Sequence, residues 1–375
     1  MSSLSPFTAS GEMLTGFWYR ALRSDQVGPR ELVPVMLLET PLVLGRTDAV
    51  SGKPAQAFAM RDNCPHRGIP LSYGWFDGKD VQCSYHGWKF DACSAQCVEI
   101  PSLTAADKLD PRRAALMKIR AGHFACEERD GYLWVFIPDP GTSGEPNCPA
   151  PALPVLNQQN SENYRRTHLW AELPANVDHG IIGLMDPAHG PFVHSAWWWR
   201  KRESIHEKEK HFEPIPLGFR MSAHQPSKNS APYRLLKWYA GDADVTTTID
   251  FVLPNLRYET IRAGKYWFAS LTTVTPITRE RCRIDVAAAW NIFRHVPLAM
   301  TIARHFGKQF VEQDRQTMVQ QAQGLKHNPS LMLIDDADKP AKWYFQLKSS
   351  YLESKRTGQA LKHPLDGPVT LHWRS

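Results

Sequence analysis

Apolar residues in the first third of the chain form short runs, and turn-forming segments such as Ser51–Pro54 and Asp130–Gly131 separate these runs. Runs of this length and spacing predict antiparallel strands. We therefore expect an all-β domain over residues 15–140. Its predicted strands include Val33–Leu38, Leu42–Leu44, Ala57–Met60 and Tyr132–Ile137.

A different pattern follows a linker at residues 141–154. The segment Asp139–Pro154 holds five prolines and two glycines, which is the composition of a linker. Beyond it, helical and strand patterns are mixed, which predicts an α+β domain over residues 155–375 with one antiparallel sheet. The predicted strands are Asn163–Glu172, Tyr233–Tyr239, Val245–Leu253, Tyr258–Ala263, Tyr266–Thr275 and Cys282–Phe293, and the predicted helices are Pro174–His194, Val296–Gly324 and Lys342–Ser354.

The most distinctive stretch, Asp62–Trp88, contains two short loops of matched chemistry. Cys64 and His66 lie on the first loop, Cys83 and His86 lie on the second, and sixteen residues separate the two pairs. Each loop offers one thiolate and one imidazole, next to glycines and a proline that permit tight turns. Two cysteines on one iron and two histidines on the other are the ligands of a Rieske [2Fe–2S] cluster.

A structural zinc site is the alternative for these four residues, because zinc also binds two cysteines and two histidines. Zinc fingers usually place both cysteines together and both histidines together, whereas each loop here is mixed. The C-x-H spacing is also tighter than the usual zinc knuckle. The pattern therefore favours the iron–sulfur cluster.

A second group of candidate ligands lies in the segment Asp186–His194. On a regular helix His189 and His194 would point about 140° apart, so they converge only if the helix is distorted. Gly190–Pro191 lies between them and disfavours regular helical geometry. Two histidines and one carboxylate would form the ligand triad of non-haem Fe(II) oxygenases.

Asp314 is the candidate carboxylate for that triad. It lies in the middle of an apolar helical stripe, four positions from both Phe310 and Met318. A carboxylate that faces a protein core needs a partner or a metal. The alternative is a core aspartate bonded to an arginine.

Together these motifs resemble the Rieske non-haem iron oxygenases, in their catalytic (α) subunit, over nearly the whole chain. The resemblance implies an all-β Rieske domain followed by an α+β catalytic domain whose helices carry a mononuclear iron. The spacing D-x-x-H-x4-H matches the iron motif of this family, which makes His189, His194 and Asp314 the expected ligands. The family also implies a homotrimer in which Asp186 joins His189 to His86 of the neighbouring subunit. The alternative for Asp186 is a hydrogen bond to the helix backbone.

The chain departs from the family at three positions upstream of Asp186. The family often has Asn-Trp at the opening of this segment and an acidic/amide pair after it, whereas this chain has Asn176–Val177 and Ile182–Gly183. The expected ligands are unaffected, but this chain lacks the polar groups with which the family controls water and electron entry near the iron.

The resemblance implies an oxygenase component that activates O2 at Fe(II) with electrons from the cluster. The chain has no Gly-rich dinucleotide fingerprint, so NAD(P)H would donate electrons only through a separate flavin reductase, a ferredoxin, or both. A Rieske electron carrier without enzymatic activity is the alternative from another functional class. The predicted second domain argues against that alternative.

The substrate is predicted from weaker signals. Cys97–Pro101 resembles the pheophorbide-oxygenase-like branch, which with related sterol-acting members uses large apolar substrates. Trp197–Trp199 precedes Arg200–Arg202, which suits either a peripheral membrane contact or rings packed in the core. We expect a monooxygenase that oxidises a methyl group or ring C–H of a bulky, sterol- or terpenoid-like substrate. O-Demethylation or ring dihydroxylation of an aromatic substrate is the alternative.

Composition excludes several other classes. The 375 residues carry 44 basic and 38 acidic side chains, and no basic tract dominates, so nucleic-acid binding is not expected. No apolar run is long enough to span a membrane, and no secretory signal is visible. Seven cysteines at irregular spacing favour free thiols and a cytoplasmic location.

Overall fold

The computed structural model describes residues 5–7, 11–49, 52, 54–104, 118–142, 146–153, 164–194, 205–224, 236, 239–241, 243–293, 296–335 and 337–375. The segments Trp197–Trp199 and Arg200–Arg202 lie outside these residues. The chain forms two compact units. The first unit is Leu14–Ala152, and the second unit combines Met1–Met13 with Leu153–Ser375.

The first unit consists of antiparallel sheets. Its strands are β2 (Phe17–Arg23), β3 (Val33–Leu37), β4 (Thr40–Arg46), β5 (Ala57–Arg61), β6 (Trp75–Phe76), β7 (Asp80–Gln82), β8 (Lys89–Asp91), β9 (Cys97–Glu99), β10 (His123–Phe124), β11 (Cys126–Arg129) and β12 (Tyr132–Ile137), after β1 (Ser5–Phe7) of the second unit. The sheet orders are β10-β5-β4-β3, β11-β12-β2 and β6-β7-β8-β9. All four strands predicted for this region are observed. Single 3₁₀ turns occur at Ser24–Gln26 and Leu71–Tyr73.

An eight-stranded antiparallel sheet dominates the second unit, in the order β13-β19-β18-β17-β16-β15-β14-β21. Its strands are β13 (Arg165–Leu173), β14 (Glu207–Ile215), β15 (Gly218–His224), β16 (Val245–Val252), β17 (Leu256–Ala263), β18 (Tyr266–Thr278), β19 (Arg281–Trp290) and β21 (Val369–Arg374). A further strand, β20 (Leu331–Leu333), pairs with β1. The α+β prediction is confirmed, although β14, β15 and β21 were not predicted.

Four helices are described in this unit: α1 (Val177–Met185), α2 (Gly190–Val193), α3 (Ala299–Leu325) and α4 (Lys339–Thr357). The helix predicted over Pro174–His194, with a disturbed end, is observed as two separate helices. The helix ends at Met185, and Pro191 lies in the first turn of a new helix, where its missing N–H breaks no hydrogen bond. None of the described helices is long and apolar enough to cross a membrane.

The predicted strand Tyr233–Tyr239 was also wrong where the structure describes it. Leu236, Tyr239 and Ala240 are helical. Leu236 is buried, and Ala240, four positions later, packs against the same cluster. A spacing of four residues places Leu236 and Ala240 on one helix face, and this packing outweighs the strand propensity of the aromatic residues.

A buried carboxylate fixes α1 in the second unit. Asp178 is fully buried and accepts hydrogen bonds from the hydroxyl of Tyr344 (2.7 Å) and the ammonium of Lys348 (2.6 Å), both on α4. It also accepts one from the backbone N–H of Gly11 (2.9 Å). Because three donors satisfy this buried charge, the N-terminal segment, α1 and α4 are held together.

Candidate metal centres

The two cysteine–histidine loops of the first unit share one backbone design. In the first, the N–H of Gly68 donates to the carbonyl of Cys64 (2.8 Å), and the N–H of Cys64 donates to the carbonyl five residues later (2.9 Å). In the second, Gly87 and Cys83 repeat both hydrogen bonds at 3.1 and 2.8 Å. Gly68 and Gly87 have φ values of 75° and 71°, a left-handed conformation that favours glycine. The chain therefore builds the same loop twice.

A buried aspartate closes the first loop. The carboxylate of Asp62 accepts hydrogen bonds from the backbone N–H and from the hydroxyl of Ser72, both at 2.7 Å. Sequence analysis did not identify either residue as part of the site. Asp62 directly precedes the motif, but only the fold shows that Ser72 returns to it.

The four predicted cluster ligands lie close together, with the cysteines buried and the histidines exposed. Cys64 and Cys83 are buried, whereas His66 and His86 are exposed with their ring centroids 4.6 Å apart. Burial raises the pKa of the Cys64 thiol to about 11, and the neighbouring thiol of Cys83 adds to the rise. Two adjacent buried thiolates need a cation. The arrangement thus fits a cluster with one iron at the thiolates and the other at the imidazoles.

Aromatic residues position the exposed imidazoles. The indole of Trp88 lies parallel to the ring of His66, at an angle of 5° and a centroid distance of 4.6 Å. The ring of Tyr85 contacts His86 at 3.9 Å. Both aromatic residues belong to the second loop, so that loop orients the imidazole of the first loop as well as its own.

The second unit brings the other three predicted ligands to one point. The Nε2 atoms of His189 and His194 are 3.3 Å apart, and Oδ1 of Asp314 lies 3.8 and 3.2 Å from them. Within the described part of the chain, this is the one group of three or more such donors whose ligand atoms all lie within 4.8 Å of one another. The cysteine–histidine donors are therefore more widely spread, as two iron atoms require and a single zinc ion does not.

Hydrogen-bond partners leave both Nε2 atoms available to a metal. The Nδ1 of His194 lies 3.0 Å from Oε1 of Gln313, and because an amide oxygen only accepts, Nδ1 carries the proton. The Nδ1 of His189 faces Oδ2 of Asp186 at 3.6 Å, which favours the same tautomer. Three lone-pair donors at one point repel each other unless a cation lies between them. The residues therefore fit a divalent iron.

Asp186 contacts both a backbone N–H and a predicted ligand. Its Oδ1 accepts a hydrogen bond from the N–H of Ala188 (2.7 Å), while Oδ2 faces His189. Burial lowers the pKa of His189, but the carboxylates of Asp186 and Asp314 outweigh burial and raise it overall. Asp186 therefore contacts the three-donor group through His189.

Helix α3 supplies the supports of this site. Phe310 stacks on the buried ring of His194 at 3.6 Å, and Gln313 and Asp314 follow it by three and four positions on the same helix face. The sequence pattern predicted Asp314 but missed the roles of Phe310 and Gln313. The available signal was their spacing from Asp314.

A cavity of about 970 Å³ opens at the three donors. Apolar side chains from the helices and the sheet line much of it, among them Phe310, Met318, Met221 and Ile249. Polar residues also line it, notably Arg257 and Glu259 of β17. A molecule in this cavity reaches the donors directly.

Comparison with known families places the two centres in two matched regions. The family described as Rieske [2Fe-2S] domain matches residues 17–111. The family described as Vanillate O-demethylase oxygenase C-terminal domain matches residues 181–343.

Relatives and solved structures agree with these matches. Chlorophyllide a oxygenase of Arabidopsis thaliana is 26% identical over 85% of this chain and 54% of its own length. 4beta-Methylsterol monooxygenase of Methylococcus capsulatus is 32% identical over 38% of this chain and 36% of its own length. The chain thus spans about half or less of these relatives. The crystal structure of dicamba monooxygenase bound to dicamba has a TM-score of 0.69 at 20% identity, covering 91% of this chain and 98% of that one.

Proposed function

We propose that this chain, a homologue of the Rieske oxygenases with the fold of their α subunit, is the oxygenase component of a multicomponent monooxygenase. The two family matches and the shared fold confirm the predicted resemblance. In this proposal Cys64, His66, Cys83 and His86 hold the [2Fe–2S] cluster. The mononuclear iron is held by His189, His194 and Asp314.

One observation carries the proposal: two imidazole nitrogens and a carboxylate oxygen converge at the wall of a large cavity. A Rieske electron carrier needs neither the convergence nor the cavity. When bound, the iron would supply O2 activation, so that one oxygen atom enters a substrate bond and the other leaves as water. The side chains fix the ligand tautomers, and the apolar walls exclude bulk water.

Electrons would arrive from outside the chain. We propose NAD(P)H as the source, with a flavin reductase, a ferredoxin, or both as carriers. Within a homotrimer, Asp186 would link His189 to His86 of the next subunit. The position of Asp186 beside Nδ1 of His189 supports this role, because the other hydrogen bond of its carboxylate to the described residues comes from a backbone N–H.

The proposed substrate is bulky and hydrophobic, with oxidation at a methyl group or C–H bond. The size of the cavity and its apolar lining support this class. The names of two relatives, which act on chlorophyllide a and on a 4β-methylsterol, point in the same direction. Aromatic O-demethylation is the second candidate, since residues 181–343 match the vanillate O-demethylase family. Ring dihydroxylation, the cytoplasmic location and the membrane contact of Trp197–Trp199 stay predictions.

The test combines metal analysis with turnover. Purified protein should contain iron and acid-labile sulfide, show a Rieske visible spectrum, and consume O2 only with a reductase, NAD(P)H and a substrate. Asp314→Ala should keep the spectrum and lose the O2 consumption. Zinc in place of iron and sulfide, or normal turnover of Asp314→Ala, would overturn the proposal.

A further inference from the structure

Two charged side chains on the sheet wall of the cavity have no role in the iron site. Arg257 and Glu259 lie two positions apart on β17, so their side chains point to the same face of the sheet. Both line the cavity, and their side chains are only 18% and 17% exposed. One N–H of Arg257 donates to Oε2 of Glu259 at 2.8 Å. Both side chains are therefore available to a ligand that lies against this wall.

The hydrogen-bonding capacity of this pair is largely unused. Arg257 has five N–H donors, and its bond to Glu259 is the one hydrogen bond it makes to the described residues. Its Nε is buried without a partner among those residues. Glu259 likewise accepts this one bond. Because buried polar groups are normally satisfied, the pair has capacity for a ligand that both accepts and donates.

On this wall Arg257 and Glu259 neutralise each other. Two strands separate β17 from β14, whose Lys208 and Lys210 also line the cavity, and the ammonium of Lys208 donates a hydrogen bond to Oγ of Ser375 (2.6 Å). Glu207 and Glu209 alternate with these lysines and are exposed. A carboxylate ligand would gain from Arg257 but would be repelled by Glu259. A neutral oxygen function meets no such repulsion.

We propose that Arg257 and Glu259 bind a hydroxyl or carbonyl group of an otherwise apolar substrate. A hydroxyl accepts from Arg257 and donates to Glu259, whereas a carbonyl only accepts from Arg257. Ile249 lies opposite Glu259, and Met221 lies opposite Ile249, so apolar side chains adjoin the polar pair. The inference rests on the proposed function for the identity of the cavity as the substrate site, and it narrows the substrate class.

The test measures binding of matched compounds to the metal-loaded full chain. One series is androstanol, androstanone, androstane and androstane carboxylic acid. The other is methoxybenzyl alcohol, methoxybenzaldehyde, methoxytoluene and methoxybenzoate. Tryptophan fluorescence reports binding, since Trp373 lines the cavity. In a series that binds, the alcohol should bind about tenfold more tightly than the hydrocarbon, and the carboxylate should bind no better than the hydrocarbon.

Variants of the pair give readouts that a structural role would not produce. Arg257→Met keeps the alkyl stem and should abolish the preference for the alcohol and the carbonyl. Glu259→Gln leaves Arg257 unneutralised, so the preference should move to the carboxylate. Arg262→Met is the matched control, because Arg262 is exposed and its side chain points to the other face of β17. Its preferences should equal those of the unmodified chain.

Several outcomes would overturn this inference: no binding in either series, equal binding of alcohol and hydrocarbon, or an unchanged preference in Glu259→Gln. Iron and sulfide are measured on the same preparations. Their absence would refute the oxygenase proposal without altering a measured binding preference. The two proposals can therefore fail separately.

Discussion

The two candidate metal centres are built by different means. The four donors of the first come from the single stretch Cys64–His86, and repeated main-chain hydrogen bonds fix both of its loops. The donors of the second come from α3 and from the two ends of α2, far apart in sequence, and side-chain contacts bring them together. A local centre depends on turn geometry, whereas a non-local centre depends on how helices pack against a sheet.

The largest effect is expected from removing a cluster thiolate. Cys83→Ala should abolish the Rieske spectrum and all turnover, because Cys83 would be a direct ligand of one iron. The mononuclear iron should stay, since its donors belong to another unit of the chain. Visible spectroscopy, sulfide analysis and iron analysis measure this outcome. A retained Rieske spectrum would refute the ligand assignment.

Asp314→Ala should produce the opposite result. The carboxylate oxygen lies 3.2 Å from Nε2 of His194, so its loss removes one of the three proposed ligands. Iron content should fall from about three atoms per chain to about two, with an unchanged cluster spectrum. Glu312→Ala, an exposed acid on the same helix, is the matched control. Normal iron content in Asp314→Ala would mean that another carboxylate is the ligand.

Asp186→Asn tests whether the two centres exchange electrons through this residue. The amide can keep the hydrogen bond from Ala188 but loses the charge beside His189. Both metals should stay bound, while turnover falls sharply. Single-turnover oxidation of the reduced cluster, with sedimentation to establish the oligomer, measures this effect. Normal cluster oxidation, or full activity of a dilute monomer, would contradict the route between subunits.

Gln313→Leu should weaken the second centre without emptying it. Gln313 fixes the tautomer of His194, and removal of such supports typically lowers metal affinity by about 10–100-fold. Iron titration in the presence of a chelator gives the affinity. Gln316→Leu, on the exposed side of α3, should bind iron as tightly as the unmodified chain. Equal affinities in the two variants would exclude an orienting role for Gln313.

The smallest expected effect is a difference in stability between alanine substitutions at two glycines of α1. A Cβ at Gly180 would lie 2.7 Å from Val274 and 2.9 Å from Cys282. This overpacking in Gly180→Ala should lower the free energy of unfolding by about 1–3 kcal/mol, whereas the higher helix propensity of alanine should raise it by about 1 kcal/mol. A Cβ added at Gly183 would have Cε of Met318 as its nearest atom, at 3.5 Å, which is an ordinary van der Waals contact. Gly183→Ala should therefore be neutral or stabilising. Thermal unfolding of both variants checks this, and equal stabilities would argue against tight packing of α1 on the sheet.

The difference between the centres also explains which candidate ligands could be found from the sequence. The cysteine–histidine loops carry their ligands, glycines and spacing in one segment, so the motif could be identified directly. Asp314 was identified because an acid interrupts an apolar helix stripe. Gln313 and Ser72 carry no such local signal, since their partners are chosen by the fold.

The missed elements have physical causes as well. Strand β14 alternates glutamate and lysine at its start, because the strand lies near the edge of the sheet and carries little apolar pattern. The segment Pro174–His194 was predicted as one helix because Pro191 was interpreted as a distortion within it. Proline is also favoured in the first turn of a helix, which is where Pro191 lies. The polar pair Arg257 and Glu259 resembles a solvated strand face until the cavity is known.

The pairing of β1 with β20 imposes an order on biosynthesis. Ser5 lies opposite Leu333, and the N–H of Gly11 donates to Asp178, so β1 finds its partner strand only after more than 300 further residues have been translated. At about 5–20 residues per second, that delay lasts tens of seconds. Leu14–Ala152 can fold within it, whereas the unit that carries the candidate mononuclear site is completed later, from segments on both sides of Leu14–Ala152.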